Sequence, residues 1–369
     1  KKADFITPNG LDFSILPDIR NLNVLHVKYK QKMLSFFEAY FAPYYNLRTG
    51  DKVIFFTSGR YEFFNKGYDI FIDALGLLNR KMRERKMDSE VYVLILVPTD
   101  IKKTKEHIDE LNDLFTRLKE LVDDESEDMK HKLLRNILRG ENLKVGNILS
   151  KDFILHSKIL YNFIKDIKRK ELPDLCPFDL NYREEDDLIL KRLSEQGLLN
   201  REEDRVKVIF YPRYLSIADD ILGMTYYDVV IAATMGIFPS RYESWGYTPH
   251  EAAALMNTTV TTNLTGFGSF VEETGGGDSG IKVLDMNKGY EEIVKDLAEY
   301  MFRVVYMGED ERIKSKLTAR AVAHKASWKN QIVNYFNAYE AALKRMGTVS
   351  YTHLRAHETR HDLVCRLLL

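Results

Sequence analysis

Short apolar runs rich in β-branched residues recur along most of the chain, separated by longer stretches in which apolar positions return every three or four residues. The runs at 53–57, 91–97, 206–211, 229–232, 236–239, 259–262 and 281–284 are continuous rather than alternating. That is the pattern of strands buried on both faces of a parallel sheet. Between them, 67–82 carries an apolar stripe at Ile70, Phe71, Ala74, Leu75 and Leu78, and 249–256 opens on Pro249 and runs into Ala252-Ala253-Ala254-Leu255-Met256. Both read as helices. The alternation predicts an α/β fold with a doubly wound parallel sheet, in which ligands sit outside the carboxyl ends of the strands.

Residues 102–204 break this alternation. They are strongly charged, carry amphipathic spacing over 105–124 and 153–170, and show no strand pattern. They predict a helical insertion, either a solvated bundle or an oligomer contact. The expected organisation is an entry segment and first helix at 1–50, the sheet domain at 51–101 and 205–285, the insertion at 102–204, and helices at 286–346 packing across the outside of the sheet. The run Gly275-Gly276-Gly277 lacks the strand–turn–helix setting of a dinucleotide fingerprint and reads as a loop.

Composition narrows the classes. With 369 residues, 45% hydrophobic and 30% charged, the chain can bury a sizeable core. A net charge of −1 indicates no pull toward nucleic acid or membrane, and no apolar run approaches membrane-spanning length. The two cysteines, Cys176 and Cys365, lie far apart, which fits a reducing compartment and a cytoplasmic protein. The final stretch, 347–369, reads as a translated adapter rather than as structure. The helical spacing of His353, His357 and His361 with Cys365 is therefore set aside, and no metal site is assigned.

Three segments carry candidate chemistry. In Ser240-Arg241-Tyr242-Glu243-Ser244-Trp245-Gly246-Tyr247-Thr248-Pro249-His250-Glu251, two carboxylates flank a glycine turn and a helix start. Thr248 is expected as the N-cap, Pro249 as the first helical residue and Glu251 as the partner in a capping box. The N–H groups before that helix can receive a phosphate, and the carboxylates can reach sugar hydroxyls. Equally open at this point is a plain cap at Glu251 and a solvated acid at Glu243. The second segment, Ser58-Gly59-Arg60-Tyr61-Glu62-Phe63-Phe64-Asn65-Lys66-Gly67, brings Arg60 and Lys66 to a strand's carboxyl end, as diphosphate ligands or as ordinary surface cations. The third places Tyr214 and Leu215 after the strand at 206–211, with Tyr226 beyond, as walls of a nucleobase pocket or as core packing.

Taken in order, Gly59-Arg60-Tyr61-Glu62-Phe63 with Asn65-Lys66-Gly67, then Arg205-Val206-Lys207-Val208-Ile209-Phe210-Tyr211-Pro212, then 242–251, then Thr262-Asn263-Leu264-Thr265-Gly266-Phe267-Gly268, resemble eukaryotic-type glycogen synthase, glycosyltransferase family 3. Thr7-Pro8-Asn9-Gly10-Leu11 and Ser327-Trp328-Lys329 resemble it too, so the likeness runs over residues 4–345. It implies a GT-B glycosyltransferase, of which this chain is the Rossmann-like donor domain with a large helical insertion. The chain starts at Lys1-Lys2-Ala3 without a methionine and reads as a fragment whose amino-terminal half is missing, the entry segment 1–50 leading in from it.

The resemblance further implies transfer of glucose from UDP-glucose, with retention, to the 4-hydroxyl end of an α-1,4-glucan, without a metal or other cofactor. Glu243 is then expected by the donor sugar and Glu251 by the nucleotide. Arg60 and Lys66 are expected at the phosphates, and Trp245, Gly246, Tyr247 and Thr248 in a loop whose backbone holds the β-phosphate. Tyr226 is expected to stack on uracil, with Tyr214 and Leu215 as the pocket wall. The helical insertion is expected to mediate a homo-oligomer. Another GT-B nucleotide-sugar transferase, or a non-catalytic carbohydrate-binding or oligomer scaffold, are the alternatives. The family's arginine-rich late helix, which binds glucose 6-phosphate, is matched by 311–320, where only the scattered cations Arg312, Lys314, Lys316 and Arg320 stand. Little response to that effector is expected.

Overall fold

A computed structural model describes residues 3–167, 172–274 and 280–345. The glycine run at 275–277, the stretch 347–369 with its histidines, and the last residues of the expected helix at 153–170 lie outside the described residues. Helix α1 (Ile19–Phe41) leads into β1 (Lys52–Ser58), α2 (Tyr68–Glu84), β2 (Glu90–Leu96) and β3 (Ile101–Thr104). Helices α3 (Glu106–Leu138), α4 (Val145–Ile148) and α5 (Lys151–Ile167) follow, then β4 (Phe178–Leu180) and α6 (Leu188–Glu195). The chain continues through β5 (Val206–Phe210), α7 (Tyr226–Ala232), β6 (Met235–Ile237), α8 (Tyr247–Ala254), β7 (Thr258–Thr262), α9 (Gly266–Glu273) and β8 (Ile281–Leu284). Helices α10 (Tyr290–Tyr306), α11 (Glu309–Lys325) and α12 (Trp328–Arg345) complete the described chain.

Six strands form one sheet in the order β5-β2-β1-β6-β7-β8, with all neighbours parallel. The expected doubly wound α/β fold is present. Parallel pairing follows from the helical crossovers, and burial on both faces explains the continuous apolar runs. Val53, Ile54, Phe55 and Phe56 of β1 are all fully buried, each contributing about 1.5–3 kcal/mol of hydrophobic stabilisation. Helix α10 packs on α2, and α11 packs on α8.

The strand order decides where a ligand can sit. From β1 the chain builds outward through β2 to β5, then returns beside β1 as β6 and builds the other way. The crevice at that reversal lies outside the carboxyl ends of β1 and β6. The two segments that follow those ends are 59–67 and 238–246.

Two expectations are corrected. Residues 229–232 are not a strand but the end of α7. Thr225 accepts from the Asp228 N–H and the Asp228 carboxylate accepts from the Thr225 N–H, so a capping box starts a helix there. The run Val229-Val230-Ile231-Ala232 is buried throughout, so periodicity could not separate a helix from a strand. The region 102–204 also holds strand structure: β3 and β4 form an antiparallel ribbon, pairing Thr104 with Phe178. A three-residue strand is too short to leave an alternation in the sequence.

Candidate donor site at the strand reversal

The loop after β1 is shaped by fixed contacts. A Cβ at Gly59 would stand 2.9 Å from the Tyr68 hydroxyl, and that hydroxyl donates to the Arg60 carbonyl at 3.2 Å. Tyr61 donates its hydroxyl to Asp187 at 2.8 Å, the N-cap of α6, which also accepts from Tyr182. The loop is thereby pinned to the helical side of the domain, and Arg60 projects into solvent, paired with Glu62 at 2.9 Å. Gly67 has φ 68°, and a Cβ there would meet the Pro239 carbonyl oxygen at 2.0 Å. Only glycine lets the end of the first loop lie against the start of the second.

That close approach brings Lys66 and Glu243 together. The Lys66 ammonium forms an ion pair with Glu243 Oε1, and the Ser240 hydroxyl lies 3.4 Å from the same oxygen. The two side chains are only 12% and 22% exposed, so the pair is far less screened than a surface bridge. Arg60 does not join it.

The second loop is braced from beneath. The Trp245 indole donates to His250 Nδ1 at 3.2 Å, and His250 Nε2 donates to the Ala323 carbonyl at 3.0 Å. His250 also stacks on Phe267 at 4.6 Å between ring centroids. One ring nitrogen accepts and the other donates, so the imidazole is neutral, and burial pushes its pKa down to about 4. The Trp245 side chain is therefore buried beneath the loop. From the far side, the Gly266 N–H donates to the Glu243 carbonyl at 3.2 Å and the Phe267 N–H to the Trp245 carbonyl at 2.8 Å. Thr262 donates its hydroxyl to the Ser240 carbonyl at 2.7 Å. A Cβ at Gly266 would stand 2.3 Å from the Ser244 oxygen, and one at Gly268 1.9 Å from the Thr262 oxygen. The segment 262–268, which sequence reading used only for its resemblance, holds the Glu243 loop in place. Its paired glycines were the signal.

Helix α8 starts earlier than expected. Its N-cap is Gly246, at φ 100° and with no side-chain cap, so Thr248 is not the N-cap and no Thr248–Glu251 box forms. Pro249 is the third helical residue, a position where its missing N–H costs nothing. The first-turn N–H groups of Tyr247 and Thr248 have no intrahelical carbonyl to reach, and with the helix dipole they can receive an anion. Glu251 accepts instead from the Tyr227 hydroxyl at 3.1 Å. Burial raises its carboxyl pKa above the ordinary value, and the Tyr227 bond works against that rise.

Tyr226, half-buried at the start of α7, places its hydroxyl 3.3 Å from the Ser58 hydroxyl, and its ring lies 5.5 Å from that of Tyr227. Burial raises its phenol pKa. Leu215 packs against the core, while Tyr214 is 82% exposed in the loop after β5, two strands away from β1. The structure thus gathers Lys66, Glu243, Tyr226, Glu251 and the α8 start around the strand reversal, and leaves Arg60 and Tyr214 extended at its margins. Among the described residues no group of three or more His, Cys, Asp or Glu is placed to hold a metal.

Concavities also lie elsewhere among the described residues. One of about 700 Å³ between α2 and α10 is lined by mixed charges, including Lys81 and Glu299. Another, of about 640 Å³, is lined by His26 and Lys30 of α1, Arg312 and Lys316 of α11, and Thr234. Two of the cations that look scattered along α11, Arg312 and Lys316, thus share this concavity with Lys30 of α1, while burial pushes the His26 pKa down to about 4 and keeps that ring neutral. Burial, with Lys30 and Arg312 nearby, pushes the Lys316 ammonium down to about 7.

Comparison with known proteins bears on this geometry. The family model described as glycogen synthase matches residues 1–364. The glycogen [starch] synthase of Neurospora crassa is 30% identical over 359 residues, covering 95% of this chain and 50% of that protein. That of Caenorhabditis elegans is 32% identical over 354 residues, covering 94% and 52%. The liver glycogen [starch] synthase of Homo sapiens is 34% identical over 275 residues, covering 74% and 38%. The chain spans about half the length of the curated relatives it matches. A solved α,α-trehalose-phosphate synthase (UDP-forming) from Burkholderia vietnamiensis superposes with a TM-score of 0.45 at 9% identity, over 93% of this chain and 53% of that one. That likeness is too low to carry weight, so the fold rests on the sheet described above.

Proposed function

The chain belongs to the glycogen synthase family, and on that premise we propose that it carries the donor site of a retaining GT-B glucosyltransferase. The donor is UDP-glucose and the acceptor the 4-hydroxyl end of an α-1,4-glucan. The observation that carries this reading is the Lys66–Glu243 pair beside the start of α8, at the strand reversal. As the bond from glucose C1 to the β-phosphate oxygen breaks, positive charge grows on the sugar and negative charge on UDP. Lys66, Arg60 and the backbone of Gly246, Tyr247 and Thr248, with Trp245 beneath, stabilise the departing diphosphate through fixed charges and dipoles. Glu243 faces the sugar. The acceptor hydroxyl forms the new C1–O bond on the same face and passes its proton to the leaving phosphate oxygen, which retains configuration without a covalent enzyme intermediate. Glu251 takes the ribose hydroxyls, Tyr226 stacks on uracil, and Tyr214 and Leu215 close over it. No metal enters this scheme.

The helical insertion serves as the contact of a homo-oligomer. In support, Leu134, Ile137 and Leu138 of α3 and Leu155 and Ile159 of α5 are exposed apolar residues. No described helix is long and apolar enough to cross a membrane, and we place the protein in the cytoplasm.

Isothermal calorimetry of the chain with UDP tests the donor site. One-to-one binding that is lost in Tyr226→Ala is expected. A folded sample that binds no UDP overturns the reading. Light scattering before and after Leu138→Glu tests the oligomer, with a monodisperse monomer in both samples as the contrary result.

A further inference from the structure

Arg241 stands two residues before Glu243, and Asp69 three residues after Lys66. The Arg241 guanidinium grips Asp69 with two parallel bonds, at 2.9 Å and 2.7 Å. The same guanidinium also donates to the Phe64 carbonyl. The Arg241 backbone N–H donates to the Asn65 carbonyl at 2.7 Å, and the Asn65 amide donates to Glu62 at 2.8 Å. Each of these bonds ties the loop after β6 to the loop after β1 or to the start of α2, or stiffens the first loop. Asp69 is 5% exposed in the first turn of α2, so it depends on Arg241 to offset the cost of its burial. Arg241 itself is 34% exposed.

A cation at this place could instead be a phosphate ligand. Its bonds argue otherwise. Both terminal guanidinium nitrogens are committed to the protein, one of them twice. We infer that Arg241 is a positioning residue, a clasp that fixes the Glu243 loop onto the start of α2 and so sets how Lys66 and Glu243 meet the donor. The inference deepens the proposed donor site and rests on it for its effect on binding. The clasp itself is a separate matter of geometry. Lysine cannot replace the fork, because it offers a point charge where two parallel donors are needed.

Calorimetry with UDP on Arg241→Ala, Asp69→Asn and the double variant separates the possibilities, with hydrogen exchange on the unliganded chain as a second readout. Positioning predicts that each single variant weakens UDP by about tenfold and that the double is no weaker than either single, because one unit has been broken. Arg241→Lys should recover little of the loss. A direct phosphate ligand would instead leave Asp69→Asn binding as well as or better than the parent, which overturns the inference. A lowered unfolding midpoint with unchanged UDP affinity in the folded protein also overturns it. If the parent chain binds no UDP, the donor reading fails but the clasp is still decided. Faster exchange in Arg241→Ala confined to 60–67 and 240–246 supports it, and exchange unchanged there refutes it.

Discussion

Lys66 and Glu243, 177 positions apart in the chain, form one ion pair where the neighbouring parallel strands β1 and β6 end. Each charge is compensated by the other. In the proposed donor site, an incoming diphosphate would compete with Glu243 for the Lys66 ammonium and leave the freed carboxylate beside the sugar.

This competition sets opposite signs for two substitutions. On the proposed reading, Lys66→Ala would remove a charge-assisted bond to phosphate of about 1.5–3 kcal/mol and should weaken UDP by roughly tenfold or more. Glu243→Gln leaves Lys66 unshared and should tighten UDP by roughly threefold, the scale of a partly exposed pair. Glucosyl transfer by an assembly containing the same substitution should nevertheless fall. Calorimetry gives both affinities. Equal affinity in the parent and Lys66→Ala would remove Lys66 from the donor site.

Glu251 gives a pH dependence. Its carboxyl pKa is raised by burial and held back by Tyr227. In its proposed role as acceptor for ribose hydroxyls it binds more strongly when ionised, so UDP affinity should fall as pH drops toward that raised value. Tyr227→Phe removes the restraining bond, and the fall should then begin at a higher pH. Titrations across the acid range measure the midpoint, and a midpoint that stays put or moves down counts against Glu251 as the ribose acceptor.

How much of this was legible in the chain differs by residue. The strands at 53–57 and 91–97 were readable because burial on both faces leaves an uninterrupted apolar run. The same physics hid α7, whose residues from Val229 to Ala232 are also buried all round. The pattern of Thr, two residues, then an acid occurs at both Thr225 and Thr248, yet only Thr225 caps a helix. At the second, left-handed Gly246 turns the chain two residues sooner, and Tyr227 takes the carboxylate that would have closed the box. Arg241 with Asp69 spans 172 positions, and no local periodicity encodes such a pair. The candidate residues on each loop could be named from sequence. Which of them meet could not.

Gly67→Ala should damage both stability and site. A Cβ would press on the Pro239 oxygen at 2.0 Å with the backbone at φ 68°. The left-handed conformation alone costs about 1–2 kcal/mol for a residue with a side chain, and relief of the clash must separate the two loops. Denaturant titration should show a loss of ~2 kcal/mol or more, with weakened UDP binding by the folded remainder. A stable variant with parental UDP affinity would show that the loops need no such contact.

His250 should impose an acid limit on stability. Its folded-state pKa lies at about 4 against an ordinary 6.5. Above 6.5 neither state takes the proton and its contribution is complete. Between 6.5 and about 4 the unfolded chain binds a proton that the folded chain does not, so stability falls with pH, by ~3 kcal/mol over that window. Below it both states are protonated and the loss stops. His26, also pushed down to about 4, acts in the same direction. His250→Gln keeps one donor and one acceptor but cannot titrate, so its stability should decline less steeply over the same window. Denaturant midpoints at a series of pH values decide this, and parallel slopes for parent and variant would exclude His250 as a source.

The two threonines offer the sharpest contrast between a pattern and its use. Thr225 accepts from the Asp228 N–H at 3.2 Å while Asp228 accepts from the Thr225 N–H at 2.9 Å. Thr225→Ala therefore removes a working N-cap and should cost about 1 kcal/mol. The loss also loosens the first turn of α7, which carries Tyr226 against Ser58 and Tyr227 against Glu251, so UDP affinity should fall with it. Thr248 lies inside the first turn of α8 and caps nothing with its side chain. Thr248→Ala should leave stability within roughly 0.5 kcal/mol of the parent, and it leaves the backbone N–H that the phosphate would meet. Paired denaturation and UDP titration of the two variants should separate them on both axes. Equal losses at the two positions would mean that α8 is capped by Thr248 in solution, and that its anion-receiving start lies two residues further along the chain.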